Sequence, residues 1–437
     1  MAHTYPIIRM IINNEYVEFQ DSDILECTIL QESHPISIEL PISTADVTVY
    51  TNDNRFSVYS DGVFYNALSK NLPVEIYEQV EEATQFIGKF YLDKWGAESE
   101  NTLRFELVDA IGICANTEYP GSFWETDTPF SDIVADVMVN NAIPYAIDIE
   151  VRSRQIKGWI PPGTVREALQ QLCFAARVRA STDGSYGIAF KDASLPIQNP
   201  MMPYVHITDA EKTSAQIVDH LPLVTDISVI SHDYYNLGDV AQTVEEIYSA
   251  WLEPGTYIIA YQKPYWRVWG EGVGSVPIFV TTEDGRVMTT EDSGNTWETA
   301  RIATELETFQ FHSNYVSVRV ETAGQITIWG YPWLSSERPH AYAVQTDAEK
   351  NVISVDNAML IGTDNVLQVL SKLVDYYQLR YRKSVTLFPY RLVLGNLYTV
   401  DSLRDKRLIG VASKAKSDLT GGYLINAEFL GMEKIEE

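Results

Sequence analysis

Cysteine is almost absent from this chain of 437 residues: Cys27, Cys114 and Cys173 are odd in number and far apart. That excludes a disulfide framework and a cysteine-based zinc site, and predicts synthesis in a reducing cytoplasm. Histidine is nearly as scarce. His3, His34, His206, His220, His232, His312 and His340 show no H-E-x-x-H spacing and no zinc-site pairing with cysteine, so no metal or other cofactor is expected. Basic side chains are in deficit, 32 Lys+Arg against 60 Asp+Glu, for a formal net charge of −28. So acidic a chain repels nucleic-acid phosphate and anionic lipid, which sets aside stable nucleic-acid binding and attachment to a membrane surface. No apolar run approaches the roughly 20 residues that span a bilayer, and Met1 to Met10 lacks the basic-then-apolar layout of a signal peptide.

What is present is a globular composition, 45% apolar and 21% charged, with 26 Tyr, 15 Phe and 9 Trp that favour strands over a helical bundle. At roughly 150 residues per domain the length predicts about three domains. The acid is unevenly placed: residues 1–150 carry 26 acidic and 6 basic side chains, residues 301–437 carry 16 and 15.

Residues 1–115 read as short strands. Ile36 to Leu40, Val47 to Tyr50, Val74 to Tyr77 and Leu103 to Leu107 alternate, Phe86 to Leu92 adds another strand, and Asn52-Asp-Asn54, Asp61-Gly62, Asn71-Leu-Pro73 and Trp95-Gly96 supply turns. The pattern predicts a small antiparallel β-barrel. Residues 116–200 change period. Thr128-Pro129 predicts a helix start, followed by Phe130, Ile133, Val134, Val137 and Met138 on one face. The capping box Thr164-Val-Arg-Glu167 opens a second helix with Val165, Ala168, Leu169, Leu172, Cys173 and Ala176 as its stripe. A hairpin turning at Asp183-Gly184 completes an α+β domain, and Pro196 to Pro203 reads as a linker. Residues 204–437 return to strands around one helix at about 363–381, predicting a second β-barrel; Ser317 to Val320 and Gln325 to Trp329 are expected as a hairpin split by Ala323-Gly324. The fold class is thus mainly β with an α+β part.

Catalytic patterns are weak. His232-Asp233 has no nucleophile motif beside it, Gly270 to Gly274 lacks the helix that would aim amides at a phosphate, and paired carboxylates occur everywhere by chance in so acidic a chain. The expectation is a non-enzyme. One motif is specific: Thr290-Glu-Asp292-Ser-Gly294-Asn-Thr296-Trp297 resembles the Asp-box of sialidases and other propellers, in which Asp bonds turn amides, Gly permits positive φ and Trp packs the hairpin. Sialidases carry several boxes and an arginine triad; a single box here reads as a structural hairpin inserted at about 276–300. The aromatic run around Trp266 and Trp269 offers a contact for glycan and reads more simply as a two-faced strand.

Four further segments resemble phage tail hub proteins of Gram-positive hosts. They are Gly88 to Trp95 followed by Phe105-Glu-Leu-Val-Asp109-Ala-Ile-Gly112; Gly158 to Leu172 with Thr182-Asp-Gly-Ser185; Gln325 to Pro332; and Asp418-Leu-Thr-Gly-Gly-Tyr-Leu424. The resemblance implies a baseplate or tail-tip hub, similar also to the N-terminal hub region of tail-associated lysins. Such a hub is a homotrimer with two tail-tube-like β-barrels per chain, adapting a hexameric tail tube to a three-fold tip. It further implies contacts with tail tube protein, the tape measure protein, neighbouring baseplate or distal tail proteins and the tip or spike. The location implied is the virion, or a tailocin-like particle. The chain ends at Glu437, so no attached lysin domain is expected. The acidic first barrel is expected to supply most of a negative lumen or rim. The competing expectation is a tail-tip carbohydrate-binding or cell-wall-degrading protein.

Overall fold

A computed structural model describes residues 4–34, 36, 39–59, 62–80, 83–182, 186–193, 195, 205–238, 243–272, 280–281, 287–290, 297–299, 309–320, 323–344, 349–388, 392–403, 406–420 and 423–434. Strands dominate it, as the aromatic content predicts.

The first third supplies β1 (Thr4–Ile12), β2 (Glu15–Gln20), β3 (Ile24–Glu32), β4 (Thr44–Tyr50), β5 (Pro73–Val80), β6 (Ala83–Ser99) and β7 (Thr102–Val108). Asn13 and Asn14, at φ 53° and 63°, make the tight turn between β1 and β2, a conformation that asparagine tolerates better than most residues. Alternate residues such as Ile8, Met10, Val47, Val49, Val74, Ile76, Phe90, Leu92, Phe105 and Leu107 meet in one core. Two expectations fail here. Ile36, Glu39 and Leu40 lie outside any strand, because Pro35 and Pro41 bracket the segment and remove backbone donors; Ile36 and Leu40 sink into the central core instead. Trp95-Gly96 is not a turn: β6 runs straight through it, with Trp95 opposite Phe105, and turns back only after Ser99.

Beyond β7, α1 (Ala110–Cys114) is capped by Asp109. Then come β8 (Glu118–Tyr119), β9 (Ser122–Pro129), α2 (Phe130–Val137), β10 (Tyr145–Ile147), α3 (Ile149–Arg152), β11 (Gln155–Ile160), β12 (Gly163–Thr164), α4 (Val165–Ala176), β13 (Val178–Ser181) and β14 (Ile188–Asp192). Thr128 does not cap α2: it pairs with Ile156 in β9, its hydroxyl bonds the Thr126 carbonyl, and Pro129 is the N-cap. The α4 capping box forms as read, Thr164 Oγ1 accepting from Glu167 N at 3.2 Å and Glu167 accepting from Thr164 N at 2.7 Å. β13 and β14 pair antiparallel; Asp183-Gly184 and Pro196 to Pro203 lie outside the described residues.

The rest comprises β15 (Val205–Ile207), β16 (Lys212–His220), β17 (Asp226–Tyr235), β18 (Glu245–Leu252), β19 (Gly255–Ala260), β20 (Tyr265–Gly272), β21 (Val280–Thr281), β22 (Val287–Thr290), β23 (Trp297–Thr299), β24 (Phe309–Phe311), β25 (Tyr315–Val320), β26 (Gly324–Pro332), β27 (Leu334–Ala343), β28 (Val352–Val355), α5 (Val366–Tyr377), β29 (Tyr381–Leu387), β30 (Leu397–Asp401), β31 (Arg407–Asp418) and β32 (Leu424–Lys434). The expected hairpin of Ser317 to Val320 with Gln325 to Trp329 does not form. β25 pairs with β19 and β24, whereas β26 pairs with β18 and β20. Val316, Val318, Ile326 and Ile328 nevertheless share one core. Alternation set each strand's buried face correctly and left its partner open. α5 is shorter than its expected window, and Leu367, one position off the stripe of Val366, Val369, Leu370, Leu373 and Val374, is 72% exposed.

α1, α2, α4 and α5 pack with β17 into a central core. Around it the largest sheet runs β16-β29-β32-β31-β3-β4-β7-β6-β5-β1-β2, so strands from both ends of the chain belong to one ladder.

Asp109 ties three segments to that core. It is 1% exposed and accepts from Gly112 N at 2.9 Å, Ser43 N at 3.0 Å and Thr182 Oγ1 at 2.7 Å. Burial pushes its carboxyl above the usual range and the three donors pull it back. Gly112 is needed beside it, since an added Cβ would stand 2.6 Å from Val108 Cβ. Asp109→Ala strands all three donors and should cost about 3 kcal/mol in urea unfolding, with Asp109→Asn, which keeps one acceptor oxygen, recovering part of the loss.

Candidate assembly interface

The ladder that crosses from the first third to the last does so at one place. Thr28 to Glu32 of β3 pair antiparallel with Asp418 to Lys414 of β31. Backbone bonds extend the joint at both ends, Ser33 N to Ser413 O at 2.8 Å and Leu419 N to Cys27 O at 2.9 Å. An ion pair, Lys414 Nζ to Glu32 Oε1 at 2.6 Å, lies across it. Beyond β31 the turn carries Leu419 and Tyr423 into the core of the first third. There Tyr423, held at φ 54°, donates its hydroxyl to Glu78 Oε2 at 2.8 Å. Glu78 is 6% exposed, and burial pushes its carboxyl up while the Tyr423 hydrogen bond draws it down.

Residues that do not face the core form a second, polar face across the same ladder. Asp418, Thr28, Asp46, Glu106 and Lys94 succeed one another strand by strand. Glu18, Arg9, Glu75 and Lys89 do the same on β2, β1, β5 and β6. Arg104 reaches Asp46 at 3.3 Å and Glu106 at 3.5 Å, and Arg9 reaches Glu18 at 2.7 Å. Acid and base therefore interleave on this face rather than making it uniformly negative. Another run of acid lies further along: Glu118, Glu125, Asp127, Asp132, Asp136, Asp148 and Glu150 are all exposed, and no Lys or Arg occurs between Glu118 and Glu150.

Both ends of the ladder are open. β2 pairs only with β1, and β16 only with β29, among the described residues. Tyr16 is 62% exposed on one edge strand and Ile217 62% on the other. An unpaired edge with exposed apolar side chains is a template for another strand.

Trp266 and Trp269 of β20 both lean on Tyr331 of β26, with ring centroids 5.4 and 5.5 Å away, brought to one side by a bulge between Tyr265 and Arg267. In the Asp-box segment, Thr290 of β22 is the cross-strand partner of Trp297 of β23; Asp292, Gly294 and Thr296 lie outside the described residues. His232 and Asp233 serve separate faces. His232 is 6% exposed in β17, and Asp233 Oδ1 accepts from Thr363 N at 3.1 Å and Thr363 Oγ1 at 2.8 Å. Among the described residues no three His, Cys, Asp or Glu side chains form a metal-holding group, and no helix is long and apolar enough to cross a membrane. The cysteines are buried thiols, Cys114 pushed up to about 12 chiefly by burial. Sequence reasoning missed the Glu78–Tyr423 contact, whose partners are 345 residues apart and carry no local pattern that joins them.

No family model matches the chain, and no curated protein matches it. Among solved structures it is similar to the tail protein from Neisseria meningitidis MC58, at 8% identity over 98% of this chain and 96% of that one, with a TM-score of 0.53. It is similar also to the 43 kDa tail protein of prophage MuSo2 from Shewanella oneidensis, at 10% identity over 98% of both chains, with a TM-score of 0.50.

The joint sets a pH dependence. The folded protein holds the Glu78 proton more tightly than the unfolded chain, so this group's contribution to stability falls as pH rises from the ordinary glutamate value, 4.5, through the raised one. Glu78→Gln keeps an acceptor for Tyr423 and removes that loss. Its Tm advantage over the wild type should grow as pH rises from the ordinary glutamate value and level off once the buried carboxyl is ionised. Tyr423→Phe, leaving the buried carboxylate without its donor, should cost about 1–3 kcal/mol at neutral pH.

Proposed function

We propose that this chain, which has the fold of phage tail proteins, is the structural baseplate or tail-tip hub of a phage tail or a tailocin-like particle. In this reading it is a homotrimer that adapts a six-fold tail tube to a three-fold tip. Residues 1–115 make the first tube-like β-barrel and the strands of 204–437 the second, with 116–200 as the α+β domain between them and the Asp-box hairpin at about 276–300 as an addition.

The observation that carries the proposal is the β3–β31 joint. Two β-blocks of one chain are already hydrogen-bonded edge to edge, and the combined ladder ends in two open strands. Repeating the same kind of joint between copies, β2 of one chain against β16 of the next, is a heterologous contact that closes into a ring when the rotation per copy is a third of a turn. Three chains with two blocks each then present six similar units, the number a hexameric tube requires. The interleaved charge of the polar face suits a surface that meets tail tube protein, the end of the tape measure protein and neighbouring baseplate or tip proteins by many weak contacts. Function follows from shape and needs no catalytic residue.

Light scattering tests the reading. The wild type should reach the mass of a trimer, alone or on mixing with tail tube protein, and Ile217→Lys, which puts a charge on an open edge strand, should remain a folded monomer. A wild-type chain that stays monomeric in both conditions and never enters purified tails overturns the hub.

A further inference from the structure

A cavity of about 210 Å3 lies where the acidic segment after α1 meets the β24–β25 turn, lined among others by Glu118, Tyr119, Asp136, His312, Asn314 and Tyr315. Its wall is built. Tyr119, 7% exposed, donates its hydroxyl to Asp136 Oδ2 at 2.9 Å and leaves Oδ1 of that carboxylate outside the contact. Asn314, 1% exposed, donates Nδ2 to the Ile160 carbonyl at 3.0 Å, and its Oδ1 is buried with no partner. Gly121, at φ +80°, lets the lining chain pass this side chain: an added Cβ would stand 2.8 Å from Asn314 Nδ2 and 2.6 Å from the Ile160 carbonyl. The rings of His312 and Tyr315 stack at 4.1 Å and 17° on the same wall.

The chemistry of this lining has one sign. It contains two carboxylates, Glu118 and Asp136, and no Lys or Arg. Neither carboxylate has an ion-pair partner among the described residues. Burial holds the His312 imidazole below its ordinary value, so at neutral pH it adds no compensating charge. The orphaned Asn314 oxygen accepts hydrogen bonds and cannot give them. Carboxylates, a donor-seeking amide oxygen and flat aromatic faces together call for a ligand that is cationic, rich in N–H donors and able to lie on a ring. An anion is repelled, and a neutral saccharide satisfies the rings and the acceptors while leaving the two charges uncompensated. A volume of about 210 Å3 is that of about seven waters, enough for a guanidinium or ammonium head with a short alkyl stem and too little for an oligosaccharide.

We propose that this cavity binds a guanidinium or primary ammonium group. Two sources supply that group, a free polyamine-like molecule or the tip of an Arg or Lys side chain on another protein. The site stands in a stretch, Glu118 to Glu150, that contains no Lys or Arg, and it acts on its own whether or not the chain trimerises.

Titration calorimetry on the full chain tests it, with agmatine, with the capped arginine acetyl-Arg-amide, and with methyl glucoside as the neutral control. Agmatine or the capped arginine should bind saturably, weaken with added salt, and lose at least about tenfold in affinity in Asp136→Asn, the scale of one charge-assisted hydrogen bond. Glu118→Gln, at an exposed position, should lose a smaller factor with its circular dichroism unchanged. Tighter binding of agmatine assigns the site to a free cation; equal or tighter binding of the capped arginine assigns it to a protein side chain. Saturable binding of methyl glucoside instead, no binding of either cation, or unchanged affinity in a folded Asp136→Asn overturns the proposal.

Discussion

The antiparallel pairing of β3 with β31 is the constraint on which the remaining architecture depends. Without it the two β-blocks are joined through the helices and the central core packed between them. With it the blocks share one ladder, and the register fixes how each meets the other. Five residue pairs and two flanking backbone bonds set that register. Leu419 and Tyr423 then carry the last third into the core of the first. The apolar insertion matters most energetically, since a lateral ladder alone exchanges water hydrogen bonds for protein ones at small net gain.

Buried polar groups act as fasteners at the other junctions. Asp109 holds the start of α1 against the segment before β4 and the end of β13. Lys383, fully buried in β29, donates to the Asp401 carbonyl at 2.7 Å and to Gln216, and burial beside Lys212 pulls its ammonium down to about 8. Such groups are costly to bury alone and directional when paired, so they select one arrangement of neighbouring segments over alternatives of similar apolar burial.

Charge distribution takes on a meaning that the net value of −28 lacked. On the polar sheet face of the first third, Arg9, Lys89, Lys94 and Arg104 stand among the acidic residues strand by strand. A further run of exposed acid without Lys or Arg lies in the segment Glu118 to Glu150, beside the helices.

The sequence by itself determined what depends on near neighbours. The capping box of α4 and the inward and outward faces of β25 and β26 were legible, because each is set by residues within a turn or two of one another. The four motifs resembling tail hubs were legible too, and Asp109 and Gly112 show what one of them does physically. Only the tertiary structure decided partners: that β25 and β26 belong to different sheets, that β3 meets β31, that Glu78 meets Tyr423, and that Glu118 and Asp136 share a wall with Asn314. Alternation tells a strand which face to bury and nothing about which edge to join, and backbone hydrogen bonds are the same for every pair of strands. The choice is made by whole cores closing at once, which no local window of sequence contains.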